Sequence, residues 1–83
     1  MNAIVLDGWN IFGYDNTVKK DFESRQITMV ASKYLIHDWE VYIDPIAAHD
    51  SRFKIFKDGD LIDSQPRASQ CMRIADDAEE YEV

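Results

Sequence analysis

Asp21-Phe-Glu-Ser-Arg-Gln-Ile27-Thr-Met-Val-Ala-Ser-Lys-Tyr34-Leu-Ile-His37 is the stretch on which the fold turns, because its pattern suits two kinds of secondary structure. Ile27, Val30, Ala31, Tyr34 and Leu35 recur at the i, i+3, i+4 spacing of one helix face, and this predicts a helix from Asp21 to about His37. Ile27-Thr28-Met29-Val30 also has the β-branched character of a strand. Phe22, Met29 and Ile36 fall off the stripe, so a helix here has a broad apolar face and packs centrally. Asp15-Asn16-Thr17, just upstream, is a polar break that offers N-cap residues.

Downstream, Trp39-Glu40-Val41-Tyr42-Ile43-Asp44 alternates and stops at Pro45, as a strand does before a residue that cannot donate to the ladder. Val41 and Ile43, or Trp39 with them, then face the core. Pro45 to Ser51 reads as a loop whose Ile46-Ala47-Ala48 covers a core edge. Arg52-Phe-Lys-Ile-Phe-Lys-Asp58-Gly59-Asp-Leu-Ile-Asp63 follows, with alternating apolar residues around Asp-Gly. That pair suits a type I′ turn, which needs positive φ at both central positions. The register it implies sets Phe56 against Leu61 and Ile55 against Ile62. It also sets Lys57 against Asp60 and Lys54 against Asp63.

Ser64 or Asp63 can cap a last helix, with Pro66 in its first turn. Ala68, Cys71, Met72, Ala75 and Ala78 share one face of it, with Ile74 beside them. At the other end of the chain, Asp7-Gly8 supports two readings. It is a hairpin turn pairing Leu6 with Trp9 and Ile4 with Ile11, or it closes a buried strand that sets Asp7 at its carboxyl end. The turn signal favours the hairpin. The expected fold is a single α+β domain over residues 1–83, a small mainly antiparallel sheet with two helices in the order β-β-α-β-β-β-α.

Eighty-three residues with 46% hydrophobic content can bury one core. A net charge of −7 and a pI near 4.5 disfavour direct binding to nucleic acid or anionic lipid and favour a basic partner. Cys71 is the sole cysteine, so no intramolecular disulfide forms, and a reducing, cytoplasmic setting is the default. No apolar run suits a membrane span or an export signal. His37, His49 and Cys71 lack zinc-site spacing, and Gly8, Gly13 and Gly59 make no phosphate loop. No cofactor is expected.

The acidic end of the last helix stands out. Asp76, Asp77, Glu79 and Glu80 crowd a C-terminus whose dipole is already negative, which costs stability. A solvated tail is the plainer account; the functional one is a surface for Lys and Arg of a partner. Asp58, Asp60 and Asp63 extend that surface if the hairpin tip lies on the same side, and are otherwise turn and cross-strand residues. Apolar residues on both sides of the hairpin also allow a homodimer.

The run Ile4-Val5-Leu6-Asp7-Gly8-Trp9-Asn10-Ile11 resembles the opening strand of NYN/PIN-like ribonucleases, with its Asp-Gly-x-Asn motif. That resemblance implies a catalytic divalent metal on Asp7, supported by Asn10, with Asp44 as a second carboxylate. In size, charge and lack of a catalytic motif the chain resembles, in kind, small phage or mobile-element inhibitors of host defence, including the anti-CRISPR and anti-restriction groups. This implies a non-catalytic protein that blocks a basic, nucleic-acid-binding partner by charge mimicry.

Overall fold

The structure is a computed structural model, and it describes residues 8–12, 19–20, 27–34 and 37–81, without the side chains of Lys19, Lys20 and Tyr81. Strands β1 (Asn10–Ile11), β2 (Lys19–Lys20), β3 (Ile27–Tyr34), β4 (Asp38–Ile43), β5 (Phe53–Lys57) and β6 (Asp60–Gln65) come first, and helix α1 (Ala68–Tyr81) comes last. One 3-10 turn, His49–Ser51, lies between β4 and β5. The sheet is antiparallel in the order β1-β3-β4-β5-β6, and β2 also pairs with β3.

The expected helix over residues 21–37 is therefore a correction: its described part is β3, and α1 is the one α-helix among the described residues. The order β-β-α-β-β-β-α is replaced by strands followed by a helix. The reason lies in β3 itself. As an inner strand it is buried on both faces, so Ile27 to Lys33 are all buried and the two-residue alternation is lost. A register shift between Met29 and Ala31 leaves Val30 as an extra residue, a β-bulge. Val30 and Ala31 then enter the same core cluster, imitating the doubled positions of a helix face.

The sheet has two apolar faces. On the helix side Trp9, Val30, Ala31, Trp39, Val41, Phe53 and Ile55 pack with Cys71, Met72 and Ala75 of α1. On the far side Ile27, Met29, Tyr42 and Phe56 form a second cluster, against which Phe12 packs. Tyr42 and Phe56 meet edge to face, with ring centroids 5.3 Å apart. Ile46, by contrast, is exposed and covers no core edge. Pro66 precedes α1, while Asp63 and Ser64 belong to β6 and not to a helix cap.

At the hairpin Asp58 and Gly59 both take positive φ, 51° and 89°, as the turn requires. Phe56 faces Leu61 and Lys57 faces Asp60, but Ile55 then faces Asp63 and Lys54 faces Ser64. Ile62 is the extra residue of a bulge, and from there the expected register is displaced by one. Lys54 Nζ is consequently bonded to Ser64 Oγ at 3.3 Å and to the Ser51 carbonyl at 3.1 Å, not to Asp63.

Cys71 is buried under β5 and its thiol donates to the Phe53 carbonyl, with Sγ 3.6 Å from the oxygen. Burial pushes its pKa up to about 12, and the charge of Asp63 adds to this. Little thiolate exists at neutral pH, so a thiol reagent should label Cys71 slowly in the folded protein and readily in denaturant. Equal labelling rates in the two states would show that the residue is not packed as described.

Candidate functional site

Lys33, Trp39, Lys57 and Asp60 form one cross-strand row on the helix side of the sheet, at the end that carries the β5–β6 turn. The last turns of α1 dock on this row. The chain reaches them because α1 starts beside the opposite end of β6 and runs back over β5 and β4.

Two of the four helix-end carboxylates are used there. Asp76 Oδ1 accepts from Lys33 Nζ at 2.7 Å and from the Trp9 indole at 3.0 Å. Glu79 Oε2 accepts from the Trp39 indole at 2.7 Å. Lys33 Nζ lies 5.7 Å from the Trp9 ring centroid and Lys57 Nζ 5.5 Å from that of Trp39, within cation–π range. The acids that oppose the helix dipole are thus offset by two indole donors and a lysine. Glu79, with 8% of its surface exposed, keeps Oε1 buried without a hydrogen bond, an uncommon and costly state for a carboxylate.

The sequence held a signal for this. Glu79 is four residues beyond Ala75 and seven beyond Met72, which sets it on the buried stripe of α1. Asp77 and Glu80 point outward; like that of Asp60, their carboxylates are exposed and make no side-chain hydrogen bond or ion pair among the described residues.

Asp58, at the hairpin tip, is tied down. Its Oδ1 accepts from the Asp38 backbone N–H at 3.0 Å, and its Oδ2 lies 3.0 Å from His37 Nδ1. The Asp38 N–H bond holds its carboxyl below the usual range, with His37 contributing and desolvation opposing. A lowered carboxyl pKa adds stability above its unfolded value, lost as pH falls through the folded value. Asp58→Asn should therefore flatten the acid limb of the melting temperature below about pH 4 while lowering it slightly at neutral pH. An unchanged acid limb would remove Asp58 from the link between the two turns.

Asp63 is exposed on β6, where Oδ1 accepts from the Ser64 N–H and Oδ2 from the Gln65 amide, both at 2.8 Å. Between it and Asp60 stand Leu61 and Ile62, 44% and 47% exposed. The seven acids of the expected surface therefore divide: Asp76 and Glu79 serve the sheet contact, Asp58 the turns, and Asp60, Asp63, Asp77 and Glu80 face solvent.

Asp44 is fully buried, and its Oδ1 accepts from the Ile46 N–H at 3.3 Å in a local turn. Asp7 lies outside the described residues, as do Ile4 and Leu6, the expected partners of Ile11 and Trp9, and the Asp15-Asn16-Thr17 break. Asn10 is exposed on β1. Among the described residues no three His, Cys, Asp or Glu side chains converge as a metal needs, and no helix is long and apolar enough to cross a membrane. Neither a family model, nor a curated protein, nor a solved structure matches this chain. What the geometry defines is an acidic antiparallel α+β domain with a helix on one face of its sheet.

Proposed function

We propose that this domain is a non-catalytic binding protein that docks on a basic, nucleic-acid-binding partner and blocks it, as small inhibitors of host defence do. The observation that carries the reading is the exposed run Asp60-Leu61-Ile62-Asp63, two apolar side chains bracketed by carboxylates on an outer strand. Lysine or arginine of a partner can pair with the carboxylates while its apolar residues cover Leu61 and Ile62. Asp77 and Glu80 add to the field that draws such a partner in. Asp76 and Glu79 do not belong to this surface: Asp76 Oδ1 is held by Lys33 and the Trp9 indole, and Glu79 is buried with its Oε2 on the Trp39 indole.

The test is capture of the partner on the tagged domain from its native host, identification by mass spectrometry, and titration of the purified pair at rising ionic strength. Affinity should fall steeply with salt, and the quadruple change Asp60→Asn, Asp63→Asn, Asp77→Asn, Glu80→Gln should slow association more than it speeds dissociation. Affinity that stays constant over a severalfold rise in ionic strength would refute the reading.

A further inference from the structure

β6 is the outermost strand of the sheet on its side, and among the described residues nothing pairs with its outer edge. The two-residue turn makes Lys57 and Asp60 the bonded pair, so alternation turns the N–H and C=O of Leu61 away from β5. The bulge at Ile62 interrupts the inner ladder, and the Ser64 N–H is already taken by Asp63. The open length is therefore short, centred on Leu61 and Ile62 with an acid at each end.

We infer that this edge is where the partner binds, by adding an extended segment of alternating basic and apolar residues as a further strand next to Asp60–Asp63. The inference rests on the reading of the domain as an acidic docking protein and specifies its mode. Backbone bonds to Leu61 supply the pairing, the side chains of Leu61 and Ile62 meet the apolar residues of the segment, and Asp60 and Asp63 select its lysines or arginines. Charge decides against a second copy as occupant. Antiparallel β6 against β6 that brings Leu61 against Ile62 also brings Asp60 against Asp63, like charges directly opposite, in chains of net charge −7.

The full chain, labelled with ¹⁵N, is titrated with two synthetic peptides of equal length and charge, one alternating Lys with Ile and one of the same sequence with every backbone nitrogen methylated. Only the first can add a strand, because the second has no backbone N–H to give. The Lys-Ile peptide should bind at low salt and slow amide exchange at Leu61 and its neighbours. Leu61→Pro, which removes an outward N–H on an edge strand and should be tolerated there, should weaken binding about tenfold, the loss of one good hydrogen bond. The exchange measurement uses the unaltered protein, so it stands even if Leu61→Pro does not fold. Equal binding of the two peptides, or unchanged exchange at Leu61, overturns strand addition and leaves the acidic docking reading in place. No binding of either peptide overturns both. Self-association that grows with concentration and vanishes in Leu61→Pro makes the occupant a second copy and overturns the basic segment.

Discussion

Trp39→Ala should cost the domain about 3–5 kcal/mol, the range for a large aromatic removed from a packed core. A small domain has on the order of 5–15 kcal/mol in total, so this one change should remove a large fraction of its stability. Trp39 is 1% exposed, lies between Lys33 and Lys57 in the cross-strand row, and donates to Glu79. Its loss opens a cavity beneath α1 and strands a carboxylate that already has one oxygen without a partner. Trp39→Phe largely separates the two effects: an aromatic ring and most of the bulk are kept, the indole donor is lost, and the cost should be about 1–3 kcal/mol. Urea midpoints with an unchanged slope measure both, and a cost under about 1 kcal/mol for Trp39→Ala would show that α1 does not depend on this contact.

Met29→Ala should cost about 2–5 kcal/mol, while Tyr34→Ala should stay within about 1 kcal/mol. In β3 Met29 is buried in the far-side cluster with Ile27, Tyr42 and Phe56, whereas Tyr34 is 50% exposed and its hydroxyl makes only a long 3.4 Å bond to Glu40. A helix over the same residues predicts the reverse order, with Tyr34 on the apolar stripe and Met29 off it. Denaturant unfolding of the two variants therefore tests the strand assignment directly. A larger loss for Tyr34→Ala would reinstate the helix.

Much of the rest was legible because it depends on neighbours in sequence. Asp58-Gly59 fixes its turn through backbone sterics that only those two residues enter. The spacing of Cys71, Met72 and Ala75 fixes the buried face of α1, since a helix returns to the same side every three to four residues. Trp39 and Val41 alternate toward the helix side, as strand geometry demands. The Asp60–Asp63 run was visible as composition, but its exposure was not, because the bulge at Ile62 that moves Asp63 away from Lys54 has no marker in the residue types.

The acidic helix end shows the same division. Four carboxylates at a helix C-terminus are unfavourable by local rules, and their crowding alone points to a binding surface. Two of them instead meet Trp9, Lys33 and Trp39, residues 40 to 67 positions away, and the indoles and the ammonium offset the local cost.

By itself, then, the sequence determined the hairpin turn, the apolar face of the last helix, the strand ending before Pro45 and the acidic balance, all of which follow from short-range sterics, periodicity or charge count. Only the tertiary structure decided that Ile27–Tyr34 is a strand and that Asp76 and Glu79 are contacts while Asp60 and Asp63 are surface. Burial on both faces of β3 erases the period that local reading relies on, and the partners that neutralise a carboxylate are chosen by packing.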